Sequence, residues 1–182
     1  SFAPYFYSTH EYNSTNIPKS EATPSHNSKI IIIGSGPNRI GQGVEFDYSC
    51  VQASKCLKLL GYETIMINCN PETVSTDTSI ADRLYFDSLN IESVMNIIRH
   101  EQSSGSLKGV LTQVGGQSSI NLVCSLSNFG IPILGTRPNF IEISESREKF
   151  SAFIKQVGLL QPQNESAFSM DDVRRISKEV GF

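Results

Sequence analysis

Four consecutive isoleucines at 30–33 run straight into a turn with glycine at positions 34, 36, 41 and 43. A run of β-branched residues with no polar alternation suits a strand buried on both faces, the interior position of a parallel sheet. Such a strand, followed by a glycine-rich turn and then a helix, can cradle an anion on backbone N–H groups at the positive end of the helix. This one feature confines the chain to an α/β architecture.

The rest of the pattern agrees. Cys50, Ala53, Leu57 and Leu60 recur at spacings of three and four, the stripe of a helix facing a core. Gly61 stands where a left-handed C′ residue would close that helix. ETIMIN at 63–68 reads as a second strand, broken by Asn70-Pro71, and residues 83–86 read as a short third. Asn90 is placed to cap a helix carrying Ile91, Val94, Met95, Ile97 and Ile98. GVLTQV at 109–114 is the fourth strand, followed by Gly115-Gly116 and a helix through Ile120, Val123 and Cys124. IPILG at 131–135 is the fifth. Alternating strands and helices with short connections predict an open, mainly parallel five-stranded sheet with helices on both faces.

The last third changes character. Phe150, Phe153, Ile154 and Val157 give one amphipathic helix, and Ser169 with Asp172 forms a variant of the capping box at the start of a second. At the other end, 15 of the first 28 residues are Ser, Thr, Asn or Pro, too polar to build a core. That stretch also holds Phe2, Tyr5, Phe6, Tyr7 and Tyr12, five of the 16 aromatics, so it reads either as a loose tail or as a strap against another domain. The expected organisation is a connector over 1–28, an α/β domain over 29–140 and a helical segment over 141–182. A chain that lacks an initial Met and ends just after a helix is expected to be a piece of a longer polypeptide.

Composition removes several classes of function. Fifteen Lys and Arg against 18 Asp and Glu leave a charge of −3, with no basic cluster to track a nucleic acid. No stretch approaches the roughly 20 apolar residues that span a bilayer. A secretory signal is not evident either. Cys50, Cys56, Cys69 and Cys124 show no CxxC spacing and only three His occur, which argues against a zinc site or a disulfide framework. The cysteines are expected to be reduced apolar fillers in a cytoplasmic protein.

The glycine-rich turn admits more than one reading. The loose G-x-G-x-x-G rule asks for glycine at 39, where Arg39 stands, and the second strand ends in Asn68-Cys69-Asn70 without the acid that binds ribose hydroxyls. A dinucleotide-binding oxidoreductase module therefore remains an alternative only, as does a non-catalytic interface domain whose glycines simply let strand and helix pack closely. The loops at 34–43, 70–77 and 115–118 all follow carboxyl ends of strands and are expected to form one rim. Gly34, Gly36, Gly41, Gly115 and Gly116 face it. No nucleophile–base pair lies in it, so no catalytic residue and no metal ligand is assigned.

GSGPNRIGQGVEFDYSC (34–50), NPETVSTD (70–77), ADRLYF (81–86) and VGGQSS (114–119), in that order, resemble the large, ammonia-dependent component of carbamoyl-phosphate synthetase. The resemblance runs from about Tyr5 to Phe182. Large components of this family contain two homologous halves, each with a pre-ATP-grasp domain ahead of an ATP-grasp domain. PNRIGQG and NPETVSTD look like the second half, which phosphorylates carbamate. The resemblance implies a Rossmann-like pre-ATP-grasp domain of a carbon–nitrogen ligase whose parent joins bicarbonate, glutamine-derived ammonia and two ATP into carbamoyl phosphate. It implies ATP and Mg2+ (or Mn2+) in the full-length parent, with neither expected to bind tightly to this segment. The implied partners are the ATP-grasp domain, the parent's other domains and a glutamine amidotransferase subunit or domain, with no nucleic acid and no membrane. Pyrimidine synthesis is the default pathway and arginine or urea synthesis the alternative, the latter with a mitochondrial matrix location. Residue by residue, Arg147 matches a nucleotide-contacting position, and Gly43, Glu45 and Glu72 match positions bordering the family's carbamate passage. For Glu45 and Glu72 the competing expectation is an ion pair with Arg39 or Arg83.

Overall fold

The computed structural model describes residues 6–7, 22–37 and 44–180; Arg39, Gly41, Gly43 and the tail aromatics Phe2, Tyr5 and Tyr12 lie outside them. The chain divides into two compact units, residues 1–136 and 137–182.

The first unit is built on a six-stranded, all-parallel sheet in the order β1-β4-β3-β2-β5-β6. Its strands are β1 (Phe6–Tyr7), β2 (Ser28–Ile33), β3 (Glu63–Asn68), β4 (Arg83–Phe86), β5 (Ser106–Leu111) and β6 (Ile133–Leu134). The five expected strands are all present, and the tail adds the sixth by pairing Phe6 and Tyr7 with Tyr85 and Phe86. β5 starts three residues earlier than the pattern suggested, because it pairs from Ser106 with Ser28 and absorbs Lys108 in a register shift opposite Lys29 and Ile30.

The isoleucine run occupies the middle of this sheet. Ile31 and Ile33 join one core with Ile65, Ile67, Val94, Ile98, Val110 and Leu126, while Ile32 joins the other with Met66, Cys50 and Leu84. Successive side chains of a strand point to opposite faces, so an uninterrupted apolar strand needs cover on both. Helix α1 (Val44–Leu59) covers one face; α2 (Ile91–Gln102) and α4 (Val123–Asn128), preceded by the single turn α3 (Gln117–Ile120), cover the other. The one helix anticipated after β5 is thus two short ones, with Cys124 exposed.

Local signals fix the helix ends. Asn90 accepts a hydrogen bond from Ser93 N at 2.9 Å and caps α2. Gly61, at φ 84°, closes α1: Tyr62 N donates to Leu57 O and Gly61 N to Lys58 O, the paired bonds of a Schellman motif. That closure leaves Leu60 exposed, so the buried face of α1 runs instead through Asp47, Cys50, Val51 and Ser54. Of the four free cysteines only Cys50 is buried; Cys56 and Cys124 are exposed and Cys69 is partly covered, which corrects the view of all four as core fillers.

The second unit holds α5 (Pro138–Glu145), α6 (Arg147–Val157) and α7 (Met170–Val180). α5 was not legible in the apolar pattern; Pro138 at its first turn is its clearest local mark. Ser146 caps α6 through Lys149 N, and Asp172 N donates to Ser169 Oγ at the start of α7, as the capping-box spacing suggests. Phe150, Phe153 and Val157 of α6 remain exposed.

Candidate functional site

In an all-parallel sheet the loops after the strands emerge at one edge, and ligands bind where the strand order reverses. Here β3 and β4 extend the sheet on one side of β2 and β5 and β6 on the other, so the reversal lies between β2 and β5. The described part of the first turn, residues 34–37, and the loop through Gly115 and Gly116 meet at that point. A β-carbon on Gly115 would lie 2.3 Å from Ile33 O and 2.7 Å from Gly34 O. Gly36, at φ 73°, passes beside Leu89 and Ser118, and Gly116, at φ 75°, beside the ring of Phe46. The structure thus brings Gly34, Gly36, Gly115 and Gly116 together; backbone closes the space at Gly115, while neighbouring side chains crowd the other three.

The donors in the described part of the turn are already taken. Gly34 N donates to Ile67 O at 2.8 Å, Ser35 N to Asp47 Oδ1 at 3.3 Å and Gly36 N to Asn68 Oδ1 at 3.1 Å. The anion at this turn is the protein's own carboxylate. Asp47 sits in the first turn of α1, where the helix dipole favours negative charge, and it is completely buried. Besides Ser35 N it accepts from Ser35 Oγ at 2.7 Å, Asn68 Nδ2 at 3.2 Å, Ser75 Oγ at 3.0 Å and Thr73 Oγ1. A buried carboxylate is tolerable only when so satisfied. Its charge is felt by nearby thiols: burial first, then Asp47, pushes the Cys50 thiol up to about 12, and the same two causes raise Cys69.

Neither Asp47 nor Asn68 belongs to a motif that gives it a role from the sequence alone. One signal pointed to Asp47: it lies three residues before Cys50, on the face of α1 that packs on the sheet, where an acid is out of place unless it is paired.

The carried-over acids lie on this rim but make no ion pair with a described cation. Glu45 and Glu72 are both exposed. Glu72 N donates to Asn70 Oδ1 at 3.0 Å, an Asx-type turn that fixes its backbone. Neither Glu45 nor Glu72 pairs with Arg83, and a pair with Arg39 falls outside the described residues. Arg83 opens β4 at the opposite edge of the sheet, with Nε 3.2 Å from Glu63 Oε1 and an Nη 3.1 Å from Glu101 Oε1. Arg147 is exposed at the start of α6 in the second unit.

That opposite edge is a fully paired polar cluster. Glu101, buried, meets Lys29 Nζ at 2.7 Å, Arg83 and the Tyr85 hydroxyl at 2.6 Å. Burial pushes the Glu101 carboxyl up, but hydrogen bonds from Lys29 and Tyr85 with the nearby cations outweigh it and hold the group below the usual carboxylate value. Burial and the Glu101 contact raise the Tyr85 phenol well above its ordinary value. Beside it an open depression of about 770 Å³ is lined by Ser25, Asn27, Lys58, Glu63, Asp82 and Arg83, with Lys58 paired to Asp82 at 3.1 Å. Its charges are satisfied by one another.

Among the described residues no group of His, Cys, Asp and Glu is placed to hold a metal ion, and no helix is long and apolar enough to cross a membrane. The described loops of the rim contain neither Lys nor Arg. They do not fit a magnesium triphosphate by themselves.

These features define a Rossmann-like α/β domain in which the described donors of the first turn bond to the protein's own atoms. A solved structure with a similar fold is the biotin carboxylase domain of Hydrogenobacter thermophilus 2-oxoglutarate carboxylase, determined with MgADP, ADP and bicarbonate, which aligns over 86% of this chain and 34% of its own, with a TM-score of 0.57 and 19% identity. The sequence comparisons are more specific. The profile of the carbamoyl phosphate synthase preATP-grasp domain matches residues 26–143, and the chain belongs to that family. Carbamoyl phosphate synthase large chains of Micrococcus luteus and Mesorhizobium japonicum are 48% and 50% identical over 100% and 98% of the chain. The chain spans only 16% and 15% of the length of these two relatives.

Proposed function

We propose that this chain is the pre-ATP-grasp segment of the carbamate-phosphorylating half of a carbamoyl-phosphate-forming ligase, and that it frames the path of carbamate without performing phosphoryl transfer. The parent joins bicarbonate, glutamine-derived ammonia and two ATP. The observation that carries the second part lies in the described start of the turn: the N–H groups of Gly34, Ser35 and Gly36 all bond to protein atoms. A free-standing nucleotide site would keep them for phosphate. The same geometry speaks against the dinucleotide-binding alternative, because Asn68, where a ribose-binding acid would stand, turns inward onto the loops. Glu45, Glu72 and, by sequence position, Gly43 then border the carbamate path. Arg147 contributes to the nucleotide site of the assembled parent, whose ATP-grasp domain supplies the remaining contacts and the Mg2+ ligands. The amidotransferase partner, the pyrimidine pathway and a cytoplasmic location belong to the same reading.

The test is calorimetric titration of this chain with a non-hydrolysable ATP analogue and magnesium. One Arg–phosphate bond is worth about 1.5–3 kcal/mol, and millimolar affinity already requires about 4 kcal/mol. Binding no tighter than millimolar is expected. Micromolar affinity that survives Arg147→Ala would place a complete nucleotide site within the chain and overturn the reading.

A further inference from the structure

We propose that Asp47 is a positioning residue for the carbamate path, its buried carboxylate holding the turn after β2 and the loop after β3 in one register. The inference rests on the reading of this rim as the border of that path.

Three separate segments converge on Asp47. It belongs to α1, and it accepts from Ser35 after β2 and from Thr73 and Ser75 after β3. A relay of hydrogen bonds carries this fixation outward. Asn68 Nδ2 donates to Asp47 Oδ1; Asn68 Oδ1 accepts from Asn70 N at 3.2 Å; Asn70 Oδ1 accepts from Glu72 N. Glu72 is thereby tied to Asp47 through two asparagines, and Glu45 stands two residues before Asp47 in the same helical turn. One carboxylate sets the spacing of both exposed acids.

The charge is part of the device. All five described donors to Asp47 are neutral, so each bond is strengthened by the anion and none is offset by a cation. An amide at this position could still accept from Ser35 N and Asn68 Nδ2 while the hydroxyls of Ser35 and Thr73 rotate to receive its N–H groups. Asp47→Asn therefore keeps the fold and weakens the clamp, whereas Asp47→Ala removes it.

The experiment uses the full-length parent chain carrying Asp47→Asn and, separately, Asp47→Ala. Amide hydrogen exchange is read at residues 70–77 and, as a control, at 91–102 on α2. ATP consumed per carbamoyl phosphate formed is read on the same preparations. Exchange at 70–77 is expected to rise about tenfold in Asp47→Asn with α2 unchanged. The ATP consumed per product is expected to climb above that of the unaltered chain, because a displaced wall lets carbamate escape to water. Unchanged exchange at 70–77 would overturn the proposal, as would loosened loops with unaltered coupling. A parallel fall of ATP hydrolysis and synthesis at constant ratio would equally overturn it, since a merely structural role predicts that. If Asp47→Ala does not fold, Asp47→Asn carries the test alone. An unaltered parent that makes no carbamoyl phosphate would instead strike the functional reading, and the exchange data would still report whether Asp47 holds the loops.

Discussion

The side-chain amide of Asn68 occupies the space that a β-carbon on Gly34 would need: an ideal Cβ there would lie 2.5 Å from Nδ2 and 2.7 Å from Cγ. Gly34 does not have a positive φ, so the requirement is one of space and not of backbone conformation. The glycine exists so that Asn68 can reach Asp47 and Gly36 N across the top of the sheet.

Gly34→Ala should therefore cost about 1–3 kcal/mol through overpacking. In an Asn68→Ala background the same change should cost much less, since the two clashing side-chain atoms, Nδ2 and Cγ, are no longer there. Urea unfolding of the four proteins in this cycle measures both.

Glu101 makes stability depend on acid. Its carboxyl is held below its ordinary value of 4.5, so its contribution is fully present above that pH and is lost as pH falls through the lower folded value. Unfolding free energy should fall below about pH 4.5, and Glu101→Gln should flatten that slope. Lys29→Met should cost about 3–5 kcal/mol at neutral pH, because it leaves the buried Glu101 carboxylate short of a partner. Chemical denaturation across the pH range distinguishes these outcomes.

Thiol reactivity should follow exposure and ionisation. Alkylation at pH 8 is expected to label Cys56 and Cys124 first, Cys69 more slowly and Cys50 only on unfolding, since the thiolate is the reacting form. A mass-spectrometric time course gives the order. Early labelling of Cys50 would show that α1 does not rest on the sheet as described.

Glu45→Gln and Glu72→Gln should leave stability within about 0.5 kcal/mol, as exposed residues do when no described cation pairs with them. Thermal unfolding of each single variant checks this. A loss of several kcal/mol would mean that these acids are structural supports, not a wall facing a path.

The sequence by itself determined most of the elements, though not β1, α5 or the break between α3 and α4. The isoleucine run could only be an interior strand, and Asn90, Gly61 and Ser169 marked helix ends through contacts made within one turn of chain. The motifs at 34–50, 70–77 and 114–119 carried the family without any coordinates. The α1 stripe was legible in its spacing but not in its phase, because Leu60 is released once Gly61 turns the chain away. Only the tertiary structure decided which side of β2 each later strand joins, and so where the sheet reverses and the loops meet. It alone revealed the partners of Asp47, which lie 12, 21, 26 and 28 residues away. Capping and periodicity act over three or four residues and are written locally. A buried carboxylate is stable only where distant donors converge on it, and that convergence exists only once the sheet has formed.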